Sequence, residues 1–277
     1  MFKVRTSHFF KKLVSNSRFT SISLLTLLGV LPAVNANTLV NRLNSMQPRQ
    51  FDCAQEKSGS HICVSTSAAK FQYPKKIALV IPTQVQNPSS ALLYFHGWRG
   101  VCESADLGIL PFLKTFRLAE QFSQASEGDA VLIVPLSSGR NETHNAALAP
   151  KFRSFSSWIR QLLGTQSLKW DIAGHSGAYA PIHTVLGGLT SQELQSVRSI
   201  GLLDATYSSR TPEVIVSAVK KKPSLKIFSA YISGSRTASV SLSLKSDSRI
   251  KNKMIVTSAS GGHCQSPKVD LLRYLNY

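Results

Sequence analysis

The chain is short of acid. Fourteen Asp and Glu stand against 32 Lys and Arg, giving a formal charge of +18, and the first 36 residues carry no acid at all. Such an excess points to acidic surroundings such as an anionic cell envelope. The cations are spread along the chain and do not form blocks interleaved with aromatics, so no nucleic-acid partner is expected. Long apolar runs are also missing. The best, Ile22 to Val34, falls short of the ~20 residues a membrane-spanning helix needs and is diluted by Ser23 and Thr26. No Cys/His pair has zinc-ligand spacing, so no metal is expected. Repeats, low-complexity tracts and dividing linkers are absent, which argues for a single domain.

What the N-terminus does contain is a targeting pattern. Lys3, Arg5, Lys11, Lys12 and Arg18 precede the apolar run, which closes in Val34-Asn35-Ala36. Residues 1–36 are therefore expected to be a cleaved signal peptide that exports residues 37–277 to the periplasm or beyond. An uncleaved N-terminal membrane anchor is the alternative. Export gives meaning to the only four cysteines, an even number that suggests two disulfides. Of three connectivities we favour the short loop Cys53–Cys63, which leaves Cys102–Cys264.

Apolar runs of strand length alternate with segments of helical period. Strands are expected at Ile62–Ser65, Lys76–Ile81, Ala91–Phe95, Ala130–Val134, Leu168–Ala173, Ser199–Leu203, Lys226–Ile232 and Lys253–Thr257. Helices are expected at Leu107–Gln121, Phe152–Leu163, Tyr179–Leu189, Pro212–Lys222 and Pro267–Tyr274. Asn37–Lys57 reads as an irregular or partly helical lead-in, and Ala238–Ser248 is ambiguous. Pro135–Pro150, with Gly139, Arg140, Asn141, Glu142 and His144, reads as a long polar loop that borders a binding site or is simply solvated. Asn141-Glu142-Thr143 in it matches a glycosylation sequon. The alternation predicts an α/β fold: a mostly parallel central sheet flanked by helices, preceded by two antiparallel strands.

In such sheets ligands gather beyond the carboxyl ends of the strands. His96, Ser176, Asp204 and His263 all follow expected strands. Gly174-His175-Ser176-Gly177-Ala178 departs from G-x-S-x-G only at its last position, and small neighbours let a sharp strand-to-helix turn present a serine hydroxyl. A nucleophilic serine needs a base, an acid to orient it and donors for the oxyanion. His263, in the small-residue loop after the last strand, is the candidate base. Asp204 is the candidate acid and Asp247 its rival; Asp171 lies within the strand and should face away. The Gly177 and Trp98 backbone N–H groups are the candidate oxyanion donors. His96, Arg99, Glu103 and Asp106 are weaker candidates for substrate contact. His175 is expected to pack or bond at the elbow, and His183 to sit in the core or between helices.

The His96-Gly97 turn, the Gly174–Ala178 elbow, Asp204 and Gly262-His263, in the order Ser, Asp, His, resemble the α/β-hydrolase superfamily over roughly Ile62 to Tyr277. The acid follows the strand next to the elbow, one strand earlier than in the commonest arrangement. The resemblance implies a serine hydrolase working through an acyl-enzyme with no cofactor, and carboxylic esters, small or polymeric, as its default substrates. A peptidase or amidase acting on peptides or envelope polymers is one alternative. A non-catalytic envelope-binding protein on the same fold is another. With this triad, a Cys102–Cys264 bridge would tie the base loop to the oxyanion loop.

Overall fold

The computed structural model describes residues 38–46, 50–57, 59–66, 76–125, 128–136 and 149–277. The expected signal segment lies outside these residues, as do Gly139, Arg140, Asn141, Glu142 and His144 and the sequon. Among the described residues no helix is long and apolar enough to cross a membrane.

The strands are β1 (Phe51–Gln55), β2 (His61–Ser65), β3 (Lys76–Ile81), β4 (Ser90–Phe95), β5 (Ala130–Leu136), β6 (Lys169–His175), β7 (Val197–Leu203), β8 (Lys226–Tyr231) and β9 (Met254–Ser258). They form one sheet in the order β1-β2-β3-β5-β4-β6-β7-β8-β9. β1, β2, β3 and β5 pair antiparallel; from β5 through β4 to β9 every pair is parallel. The chain leaves β4 toward β5 and returns on the other side at β6. The β4/β6 boundary is thus the switch point where such sheets open a crevice at their carboxyl edge.

Helices α1 (Thr38–Ser45), α2 (Ile109–Thr115), α3 (Leu118–Ala125), α4 (Phe152–Leu163), α5 (Tyr179–Gly188), α6 (Ser191–Leu194), α7 (Thr211–Lys221), α8 (Arg236–Ser246) and α9 (Ser266–Leu275) accompany the sheet. Two buried clusters hold the layers together. One contains Leu93, Phe95, Phe155, Trp170, Ile172 and Ile182; the other contains Leu92, Tyr94, Phe112, Phe122, Leu132 and Tyr274. Adjacent residues of β4 fall in different clusters, as expected of a strand buried on both faces. Burying one such large side chain stabilises the fold by about 1.5–3 kcal/mol.

Three departures from the sequence expectations have physical causes. The lead-in contains an edge strand as well as a helix. β1 shows one buried residue, Phe51, so its pattern is weak, and it is held by pairing with β2 and by a disulfide between the directly opposed Cys53 and Cys63, whose Cα atoms are 3.9 Å apart. The helix expected over Leu107–Gln121 is two helices. Arg117 adopts φ 53° between them, and the break lets Phe112, Phe116, Leu118 and Phe122 all reach the core. Pro135 and Leu136 belong to β5, an antiparallel neighbour of β3 at this point. The ambiguous Ala238–Ser248 stretch lies mainly in α8.

Candidate active site

Ser176 stands between the end of β6 and the single turn of 3-10 helix, Ser176–Ala178, that leads into α5. Its φ is +57°, a left-handed conformation costing a non-glycine residue roughly 1–2 kcal/mol. Neighbours explain how the turn is tolerated. A Cβ on Gly174 would lie 2.4 Å from the Ala178 Cβ and 2.8 Å from the Phe95 carbonyl oxygen. Glycine is required at 174, and alanine fits at 178 because Gly174 leaves it room. Gly177 is the second residue of the helical turn, so its N–H belongs to those a helix start leaves without an intrahelical partner. It also sits at the positive end of the α5 dipole.

The His96-Gly97-Trp98 turn after β4 passes directly beside this serine. A Cβ on Gly97 would come within 2.6 Å of the Ser176 Cβ and 3.2 Å of its Oγ. Trp98 is exposed there, at 57%. His96 is buried, its Nδ1 2.6 Å from the Gly97 carbonyl oxygen and its ring edge-on to Phe112. It props the turn from beneath.

Asp204 follows β7 at φ +47° and is fully buried. Its carboxylate accepts four hydrogen bonds. Oδ2 takes one from His263 Nδ1 at 2.6 Å and one from the Tyr207 hydroxyl at 3.1 Å; Oδ1 takes a very short one from Thr237 and a long one from the Ile232 N–H. Burial pushes this carboxyl up, but the bonds from His263 and Thr237 and the facing histidine charge bring it below the ordinary aspartate range. Burial and the Asp204 charge raise the Tyr207 phenol well above its usual value, so it remains a donor. With Nδ1 of His263 spent on Asp204, Nε2 is left to carry a proton in or out.

His175 holds His263, the candidate base, from the other side. Its Nε2 lies 2.9 Å from the His263 backbone oxygen, and the two rings are 4.5 Å apart. Burial, then the charge of His263, pushes the His175 imidazole down to about 3. The ring is neutral, and an Nε2–H donating to that carbonyl is the tautomer the contact requires. His175, Asp204 and His263 bring possible metal-ligand atoms within 4.8 Å of one another. The hydrogen bonds just described account for that convergence.

A small cavity bounded by Gly97, Trp98, His175 and His263 joins the turn to the base. The disulfide Cys102–Cys264, with Cα atoms 5.2 Å apart, links the segment after the turn to the residue after His263. Among the described residues the Ser176 hydroxyl makes no hydrogen bond to the candidate base, His263. Such bonds often tighten only around substrate.

The weaker candidates have other work. Arg99 and Glu103 form a buried ion pair at 2.9 Å, and Arg99 also donates to the Ser104 and Leu107 carbonyls. Their polar ends are turned to the protein because desolvating either alone would be costly. Asp106 lines a different cavity, of about 760 Å³, between the β1/β2 hairpin and residues 105–111. His96 is buried, and both it and Glu103 line the small cavity beside Trp98 and His263. Asp247 lies before β9, at the opposite edge of the sheet, paired with Arg249, which holds it down to about 2. Asp171 likewise binds Arg198 and Ser199 at that edge. His183 packs on Tyr179 along α5. Tyr207 and Thr237 were not legible in advance. Tyr207 reaches Asp204 from the loop that follows it and Thr237 from the start of α8, and no spacing rule announces either.

No family model matches the chain, and no curated protein matches it in sequence. Solved structures do share its fold. The feruloyl esterase module from Clostridium thermocellum, in a mutant complexed with sinapinate, superposes with a TM-score of 0.55 at 13% identity, over 82% of this chain and 93% of that one. A ferulic acid esterase superposes with a TM-score of 0.51 at 11% identity, over 82% of this chain and 95% of that one. The chain has the α/β-hydrolase fold.

Proposed function

We propose that this α/β-hydrolase-fold chain is an exported serine hydrolase that cleaves carboxylic esters through an acyl-enzyme. The observation that carries the reading is the 2.6 Å bond from His263 to a buried, fourfold-bonded Asp204, on the same edge of the sheet as a serine held at φ +57°. A carboxylate so placed orients the imidazole and stabilises the charge it acquires. The Ser176 Oγ attacks the ester carbonyl carbon while His263 Nε2 takes its proton. The oxyanion is held by the Trp98 and Gly177 N–H groups near the positive end of α5. Collapse breaks the carbon–oxygen bond, and His263 returns the proton to the departing alcohol. Water then repeats the sequence on the acyl-Ser176 ester. The fold's esterase relatives favour an ester, small or carried on a polymer, over an amide. No step is assigned to a metal or organic cofactor.

Export is part of the proposal. Residues 1–36 act as a signal peptide and 37–277 form the mature domain, in which two disulfides suit an oxidising compartment. N-terminal sequencing of the exported protein should begin at Asn37; an intact Met1 would favour the anchored form. A panel of aryl and alkyl esters beside matching amides tests the chemistry. Ester turnover abolished in His263→Ala supports it, and turnover of amides alone contradicts the ester assignment.

A further inference from the structure

The cations that look dispersed along the sequence are gathered by the topology. β6, β7, β8 and β9 run parallel, so their first residues share one edge, opposite the one that carries Ser176. Lys169 opens β6, Arg198 is second in β7, Lys226 opens β8 and Lys253 immediately precedes β9. Strand spacing of about 4.8 Å makes this a row of basic side chains roughly 14 Å long, in which Arg198 is paired with Asp171. The helix topology thickens it. α7 and its cap bring Lys220, Lys221 and Lys222 to the same edge, because a helix that follows one parallel strand ends where the next begins. Lys220 is exposed there; behind it the Lys221 ammonium donates to the Leu189 carbonyl, and that of the buried Lys222 to the Gln195 and Val197 carbonyls. Among the described residues Lys169, Lys226 and Lys253 form no ion pair, and all three are exposed.

The row borders a groove of about 810 Å³ lined by Asp171, Arg198, Ser199, Lys222, Ser224 and Lys226, with Tyr274 and Tyr277 along one side. The Lys226 ammonium lies 5.4 Å from the Tyr277 ring centre. Ser90, 2% exposed, also lines the groove, and its hydroxyl has no hydrogen-bond partner among the described residues.

We infer that this edge is a second binding surface, for a carboxylate-bearing polysaccharide, separate from the serine site. The lysine row meets regularly spaced negative charge. The half-buried Tyr277 ring offers an apolar face for a sugar ring, and the exposed Ser224 hydroxyl is placed to exchange a hydrogen bond with a sugar hydroxyl; Tyr274 lies buried beneath the groove. Asp129 and Asp171 within the groove disfavour a ligand whose charge is as dense as a nucleic-acid backbone. The inference stands on the fold and on charge placement, independently of the serine chemistry, and its test measures binding alone.

The mature protein is titrated with polygalacturonate in low salt, beside the triple variant Lys169→Gln/Lys226→Gln/Lys253→Gln. A charge-matched control, Arg210→Gln/Arg236→Gln/Lys268→Gln, removes cations from the other edge, and circular dichroism verifies that each variant is folded. Binding weakened at least tenfold in the first triple and less than twofold in the control, and suppressed by 0.5 M NaCl, supports the inference. Equal losses in both triples would mean generic charge attraction and overturn it. Tighter binding to single-stranded DNA or to anionic phospholipid vesicles than to polygalacturonate would overturn the polysaccharide assignment.

Discussion

The two edges of the parallel sheet are built differently. At the carboxyl edge the backbone is distorted. Of the three non-glycine residues with positive φ among the described residues, Ser176 and Asp204 are both there, and buried polar groups bond one another in a continuous network. At the amino edge the backbone carries no non-glycine residue of positive φ among the described strand starts, and the exposed lysines Lys169, Lys226 and Lys253 stand there beside Asp129 and Asp171. Strain is kept where a group must be held in one orientation, and charge where a diffuse field suffices. The contrast teaches that the geometry of the candidate site depends on backbone turns, whereas surface charge depends only on where elements start and stop.

That contrast can be broken from either side. The largest effect is expected from Asp204→Asn, which keeps the shape but removes the charge that holds the His263 tautomer. The kcat for a small ester should drop by about 10⁴, with KM little changed; a loss under tenfold would remove Asp204 from the role. Next is Gly97→Ala. The added Cβ must displace the Ser176 side chain or the His175 carbonyl, each under 3 Å away, and a shift near 1 Å costs on the order of 10²-fold in rate. Full activity with an unmoved thermal midpoint would show that the turn is not closely fitted to the serine.

His175 supplies a pH test. It is neutral in the fold down to about pH 3, whereas an unfolded histidine protonates below about 6.5. The unfolded state therefore binds more protons across this range, so stability falls as pH drops from 6.5 toward 3. At pH 4 the loss is on the order of 3 kcal/mol. Urea unfolding of His175→Gln should show a shallower decline between pH 6.5 and 4; a slope equal to that of the wild type would assign it to other groups. The smallest effect belongs to the amino edge. Lys253→Gln relieves like-charge repulsion and should raise the thermal midpoint by roughly 1 °C in low salt and not at all in high salt. A lowered midpoint would mean Lys253 has a structural partner.

Much of this architecture was legible because its signals are local. Strands buried on both faces show up as unbroken apolar runs, so the antiparallel β3 and the core of the parallel β4 could both be located from their residues. The elbow could be located because small residues must surround a strained serine. Signals that depend on pairing were hidden. β1 has too little burial to mark itself, and Arg117 breaks a helix whose period continues across the break. The partners of Asp204 come from a folded-back loop and from the start of α8. The amino-edge lysines were visible one by one, yet only the strand order brings them side by side. The pairing of Arg99 with Glu103 was hidden too: the sequence shows two charges near a candidate site, and only the fold shows that they bind each other at the rim of the small cavity.

The central claim is that Ser176 is an activated nucleophile. The most direct measurement is labelling of the purified mature protein by a fluorophosphonate probe, beside folded Ser176→Ala and His263→Ala variants. The account predicts one phosphonylated residue, Ser176, with no labelling in the first variant and labelling slowed at least a hundredfold in the second. A folded wild type that stays unlabelled, or a Ser176→Ala variant labelled as fast as the wild type, would contradict it.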